Sequence, residues 1–285
     1  MTAAWRRPSA RATLFMAAFL VYFLLPLFWL AIAATKSNSG LFDSFGLWFA
    51  DDFNLVANIG DVLSFGGGEY ARWLANTAGY AVVSAGGAAL LAAWAGYGFA
   101  KYEFPGKRLL FGIVLASIMV PTTALAIPTY LLLSEVGIVD TPLAIIIPSL
   151  VSPFGIYLMR IYAADAVDDS LIEAARIDGA SELLIFWKVA FRLLAPGFVT
   201  VLLFTLVATW NNYFLPLVML NDPTYFPVTV GLAQWNAAAT GGGGSQALFS
   251  LVVTGSMLSI VPLIAAFLML QRYWQTGLGT GSVKA

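Results

Sequence analysis

The sequence predicts an all-α membrane protein with six transmembrane helices, and three observations carry that expectation. Apolar residues make up 60% of the 285 and mean hydropathy is +0.84, against about 45–50% apolar in a soluble globular chain. The apolar residues gather into runs at 13–34, 73–99, 109–133, 142–162, 193–220 and 248–270, each near the ~20 residues that a helix needs to cross a bilayer. The basic residues then fall almost wholly on one side. With residues 1–12 inside, Arg6, Arg7, Arg11, Lys101, Lys107, Arg108, Arg160, Arg176, Lys188, Arg192, Arg272 and Lys284 lie in inside segments, leaving only Lys36 and Arg72 outside. That asymmetry sets both termini in the cytoplasm. The layout is one membrane domain, 13–271, between tails 1–12 and 272–285.

The first run follows a tail with three arginines and no acid. Ala31-Ile32-Ala33 has the form of a signal cleavage site, but the run exceeds the roughly 7–15 residues of a signal core and contains Pro26 and Trp29, so an uncleaved span is expected. Residues 35–72 hold five acids and the Gly66-Gly67-Gly68 run and are expected to be an outside loop with a flexible tip. In the second run Ala85, Ala89 and Ala93 form one stripe, and Ala92, Gly96 and Ala100 another, a pattern that lets helix backbones approach closely. Pro121 and Pro128 interrupt the third run, and Pro148 and Pro153 the fourth, so both spans are expected to be kinked. Residues 134–141, with Glu135 and Asp140, read as outside. The last outside loop, 221–247, has Asp222 as its sole charge and a glycine run at 241–244.

Between the fourth and fifth runs lies a charged island, 163–192. Ser170 and Glu173 have the spacing of a capping box, so a short helix is expected to start there. Gly179 is expected to end it in the left-handed conformation, and a second helix to restart near Ser181 with Leu183, Leu184, Phe186, Trp187 and Val189 on it.

Composition excludes several chemistries. The chain has no Cys and no His, which removes disulfides, thiolate nucleophiles, imidazole bases and the commonest zinc ligands. A net charge of −1 with 10% charged residues gives no nucleic-acid footprint. A phosphate-binding G-x-x-x-x-G-K-[ST] loop does not occur: Gly106-Lys107 has Lys101 in place of the first glycine and Arg108 in place of the hydroxyl residue, and Gly241 to Gly244 lacks the lysine. The acids lie in loops, which argues against an ion-coupled secondary transporter.

Glu173-Ala174-Ala175, Asp178-Gly179-Ala180 and Phe186-Trp187-Lys188-Val189 resemble the EAA loop of ABC importer permeases, specifically the inner-membrane permeases of carbohydrate uptake systems. Phe104-Pro105-Gly106-Lys107, Pro153-Phe154-Gly155-Ile156-Tyr157, Trp210-Asn211-Asn212-Tyr213 and Gln271-Arg272-Tyr273 extend the resemblance from Asn76 onward. It implies a translocation subunit of the bacterial cytoplasmic membrane that is not an enzyme and holds no cofactor, ATP and Mg being bound by partner subunits. The implied partners are a second related permease in a heterodimer, two ATP-binding subunits and an extracytoplasmic sugar-binding protein. Glu173, Ala174, Ala175, Asp178, Gly179, Ala180, Leu183 and Phe186 are the implied coupling residues, with Leu183, Leu184 and Phe186 as the docking face.

Sugars present hydroxyl edges and apolar ring faces, so Asn76, Thr77, Thr122, Thr123, Trp210, Asn211, Asn212 and Tyr213 are candidates for the substrate pathway. Gln234, Trp235, Asn236, Gly241 and Gly242 are candidates for contact with the binding protein. A polyol or glycerophosphodiester is the alternative cargo. Two departures stand out: Arg192 occupies the place of a family proline, and Asp168, Asp169 and Glu182 stand where proline or basic residues are usual. A partner groove more basic than usual is expected from them.

Overall fold

A computed structural model describes residues 9–241 and 247–279. The described residues form fourteen α-helices, with short 3₁₀ and π segments and no strand. In chain order these are α1 (Ala10–Ala33), α2 (Asn38–Asp43), α3 (Leu55–Ser64), α4 (Glu69–Lys101), α5 (Lys107–Ile118), α6 (Ala126–Glu135), α7 (Leu143–Ser149) and α8 (Pro153–Ala166). They are followed by α9 (Asp169–Ile177), α10 (Glu182–Ile185), α11 (Phe191–Trp210), α12 (Phe214–Met219), α13 (Val228–Thr240) and α14 (Ala247–Gly279). Among the described residues five stretches are long and apolar enough to cross a membrane, and a sixth arises if α5 and the bent segment after it count as one span.

The expected kinks are breaks. The third expected span is α5 followed by a segment from Thr122 to Glu135, and the two meet at 102°. Pro121 forces the residue before it out of the helical region, so α5 stops short of it. Pro128 lies in the first turn of α6, where a missing N–H costs little. The fourth expected span is α7 and α8, and Ser152 caps α8 by accepting a hydrogen bond from the Gly155 amide at 3.1 Å. Pro153 stands at the first helical position, where proline is favoured. The fifth does not reach Leu220: α11 ends at Trp210, Asn211 caps it, and α12 is a separate turn.

The expected outside loops are folded. Residues 35–72 contain α2 and α3, and Gly66, Gly67 and Gly68 take φ of +58, +71 and +86°, so the run sets a left-handed turn in place of the expected flexible tip. Residues 221–247 contain all of α13, whose first amide, Val228 N–H, donates to Thr77 Oγ1 at 2.8 Å. The tail expected from 272 is still helical as far as Gly279.

The chain divides into two compact units. One comprises residues 1–70 and 232–260. In it the Lys36 ammonium is buried and donates to Ser44 Oγ and to the Phe45 carbonyl, both at 2.8 Å. Asn58 donates to the Ala34 and Lys36 carbonyls at 2.9 Å, tying α3 to the end of α1. Trp235 is buried against Phe65 and Tyr70 and donates to Glu69 Oε1 at 2.8 Å. The rest of α1 is exposed along its apolar length.

The other unit comprises residues 71–231 and 261–285. Its core joins Ala89, Ala92, Ala93 and Tyr97 of α4 to Met159, Ala163, Ile172, Ile185, Phe186, Leu194 and Val201. The predicted small-residue stripes are the packing surface. A methyl group added at Gly96 would lie 2.5 Å from Met159 Cβ and 2.7 Å from the Arg160 backbone nitrogen, so α4 and α8 touch backbone to backbone there.

Candidate functional site

The island between α8 and α11 is a helix–turn–helix. Its first helix begins earlier than expected. Asp168 is the N-cap, and its carboxylate accepts from the Ser170 amide at 2.9 Å. The expected Ser170–Glu173 capping box is not formed, because an aspartate two residues upstream already caps the helix and complements its positive end. Glu173 is left exposed. Asp169 pairs with Lys101 at the end of α4 at 2.8 Å, with the lysine side chain 7% exposed and the carboxylate 76%.

The turn after α9 is a complete Schellman motif. Asp178 caps the helix, Gly179 takes φ +78°, Ala180 N–H donates to the Ala175 carbonyl at 3.0 Å, and Gly179 N–H to that of Arg176 at 3.0 Å. Across this turn Arg176 Nε donates to Glu182 Oε1 at 2.7 Å, and Tyr102 Oη donates to the other carboxylate oxygen at 2.5 Å. The contact holds the arginine above its ordinary pKa. Burial, and then Glu182 accepting its proton, push the Tyr102 phenol well above the usual tyrosine range. Glu182 thus joins α9, α10 and the segment following α4.

Residues 182–210 form one continuous helical run. Its second turn is a π-helix over Phe186–Ala190, closed by the Phe191 amide on the Phe186 carbonyl, and the run passes Arg192 without a break. A widened turn therefore stands just before the place of the absent proline, and the next proline, Pro196, lies inside α11.

The structure divides the predicted coupling residues. Glu173, Ala174, Asp178 and Gly179 are exposed, Ala175 and Ala180 half-buried, and Leu183 and Leu184 exposed. Phe186, expected on a docking face, is buried at 2% exposure among Trp94, Tyr97, Trp187 and Phe191. It is an anchor. The apolar residue that does project is Ile177, 86% exposed at the end of α9. Sequence reading missed Ile177, Lys101 and Tyr102, although the i, i+4 offset of Glu173 and Ile177 put both on one helix face. An open cleft of about 570 Å³ beside the island is lined by Leu91, Trp94, Tyr97, Tyr102, Glu182 and Leu183.

The other candidates are not gathered into one site. Thr77 is buried and capping α13, and Asn76 donates to the Thr224 and Phe226 carbonyls at 2.8 and 3.0 Å. Asn211 donates to the Val207 carbonyl at 2.9 Å, and Asn212 accepts from Leu215 N–H at 3.4 Å. Trp210 is buried. Thr122 and Thr123 are exposed at the 102° bend, and Tyr213 is 41% exposed. Of the proposed binding-protein contacts, Gln234, Asn236 and Gly241 are exposed, Trp235 is a core residue, and Gly242 lies outside the described residues.

Several helices long and apolar enough to cross a membrane, with a pinned, exposed helix–turn–helix between two of them, define a multispan membrane protein. Residues 88–276 match the family model for the binding-protein-dependent transport system inner membrane component, and the chain belongs to that family. It is 32% identical over 217 residues to the arabinooligosaccharides transport system permease protein AraQ of Halalkalibacterium halodurans, covering 76% of this chain and 75% of that one. AraQ of Bacillus subtilis is 29% identical over 95% of this chain and 94% of its own length. The trehalose transport system permease protein SugB of Mycobacterium tuberculosis is 29% identical over 92% and 93%. The fold matches, with a TM-score of 0.79 and 24% identity, a chain in the crystal structure of a bacterial ABC transporter involved in the import of the acidic polysaccharide alginate, covering 95% of this chain and 100% of that one.

Proposed function

We propose that this chain is the permease subunit of an ATP-driven ABC importer and that its cargo is a mono- or oligosaccharide. In this reading α9, the Gly179 turn and α10 are the coupling element, on the cytoplasmic face with both termini. Glu173, Ala174, Ile177, Asp178 and Leu183 meet a groove on a separate ATPase. ATP and Mg belong to that ATPase, present in two copies. A second, related permease completes the pathway, and an extracytoplasmic binding protein delivers sugar to the surface bearing Gln234 and Asn236.

One observation carries the reading. A short exposed helix, α9, is held at its start by Lys101–Asp169 and at its end by Arg176–Glu182, and the Gly179 turn joins it to the 29-residue apolar helical run that begins at Glu182. Force applied at Glu173 reaches α11 through that hydrogen-bonded turn, and a nucleotide-driven push can rock the bundle between two states. The sugar assignment leans on relatives whose cargoes are arabinooligosaccharides and trehalose.

The test is reconstitution in liposomes with the companion permease, ATPase and binding protein encoded beside this gene, using arabinooligosaccharides, trehalose and lactose as probes. Uptake is expected to require ATP and the binding protein, and to vanish in Gly179→Val. Uptake driven by an ion gradient without the ATPase, or full sugar-stimulated ATP hydrolysis in Gly179→Val, would overturn the proposal.

A further inference from the structure

The turn between α4 and α5 carries a feature that a force-transmitting bundle does not need. A cavity of about 700 Å³ there is lined by Lys107, Arg108 and Arg160 together with Phe104, Leu109 and Phe111. The one acid in its wall, Glu103, is held by Lys107 at 2.8 Å, and Lys107 also donates to the Tyr102 carbonyl at 2.9 Å. That contact holds the Glu103 carboxyl below its usual range, so the pair stays charged.

The two arginines are different. Among the described residues neither Arg108 nor Arg160 forms an ion pair. Arg160 lies midway along α8, half-buried, with its guanidinium carbon 4.0 Å above the centroid of the Phe111 ring. A cation on an apolar helix is costly unless an anion or a wet surface answers it. The aromatic face of Phe111 answers one side of the guanidinium only, and its N–H fork remains free for a planar or tetrahedral oxyanion.

Position selects the occupant. Residues 102–106 join two helices of membrane-spanning character, so this turn lies where hydrocarbon meets water, whichever side it faces. Leu109 and Ile113 of α5 are 70% and 57% exposed and continue the apolar wall away from the cations. The site is therefore cationic at one end and apolar along the direction of the helix. From this juxtaposition we propose that Arg160 and Arg108 bind the phosphate of an anionic glycerophospholipid, whose acyl chain lies along Leu109 and Ile113. A free phosphate would use the cations and leave the apolar wall bare. The inference does not depend on the cargo or on the coupling element.

The experiment uses the full-length chain in nanodiscs of equimolar phosphatidylglycerol and phosphatidylcholine, followed by extraction and native mass spectrometry of retained lipid. The wild type is expected to retain phosphatidylglycerol preferentially. Arg160→Gln and Arg108→Gln should each lower that preference about fivefold, the contribution of one basic side chain at an anionic surface. Arg11→Gln, which removes an equal charge from α1, should leave it unchanged. Arg108 is exposed, so its variant reports even where Arg160→Gln fails to insert. Equal retention of the two lipids by the wild type, undiminished retention in Arg108→Gln, or displacement of the lipid by inorganic phosphate or by the assembled companion permease would each overturn the proposal.

Discussion

Arg176 Nε donates to Glu182 Oε1 at 2.7 Å across the six-residue interval that contains the Gly179 turn. Both side chains are about half exposed, and exposed pairs contribute little to stability, so the pair acts on geometry. It fixes the angle between α9 and α10. Arg176→Glu or Glu182→Arg alone should leave the melting temperature of the purified protein nearly unchanged and cut sugar-stimulated ATP hydrolysis several-fold in the assembled transporter. The double swap should recover a large part of it. A double swap no better than either single would show that the angle is set elsewhere.

Gly179 offers a separable test of backbone against bulk. Its φ is +78°, and no atom lies within 4 Å of where a Cβ would stand. Any loss on substitution is therefore conformational, about 1–2 kcal/mol for an ordinary L-residue. Gly179→Asn, which tolerates that conformation, should retain uptake, whereas Gly179→Val should lose it, and equal losses in both would point to steric exclusion by the partner.

Gly96 tests the close approach of α4 and α8. The Cβ of an alanine would sit 2.5 Å from Met159 Cβ and 2.7 Å from the Arg160 amide nitrogen, and backbone cannot step aside as a flexible side chain can. Overpacking of this kind costs about 1–3 kcal/mol. Gly96→Ala should lower thermal stability in detergent, and Gly96→Leu should abolish accumulation of the folded protein. The neighbouring Gly98, with open space around its Cβ position, should accept alanine without loss.

Asp140 fastens the segment after α6 to the segment after α12. It takes φ +60°, and its Oδ1 accepts from Asn221 N–H at 2.8 Å and from Asp222 N–H at 2.9 Å. Asp140→Asn keeps the acceptor and tolerates the left-handed backbone. Asp140→Ala leaves two amides without it and should cost about 1–3 kcal/mol, read as a fall in melting temperature well beyond that of the asparagine variant.

Much of this was legible in the chain because lipid imposes simple rules. The all-helical fold with its five or six apolar stretches, the stripes at Ala85 and Ala92, and the left-handed Gly179 follow from hydropathy, small-residue spacing and turn chemistry. Features set by competition between neighbours were not legible. Ser170 and Glu173 satisfy a capping pattern, but Asp168 reaches the helix end first. Phe186 sits in an exposed-looking charged island, yet Trp94 and Tyr97 of a distant helix claim it. Thr77 and Trp235 looked suited to recognition, and each is occupied by a backbone amide or carboxylate more than a hundred residues away. Such partners cannot be read from local pattern.

The π-turn at Phe186–Ala190 has a genetic consequence. A helix that accommodates one surplus residue in a single turn keeps two independent phases, one for the residues ahead of it and one for those behind. Excising any one of Trp187, Lys188 or Val189 would let that turn relax to α geometry while Ile185 and Leu194 each keep their facing. The same excision two turns later, within α11, would rotate every downstream side chain by about 100°. A one-residue deletion in this short interval should thus leave the bundle intact, where the same deletion in α11 would not.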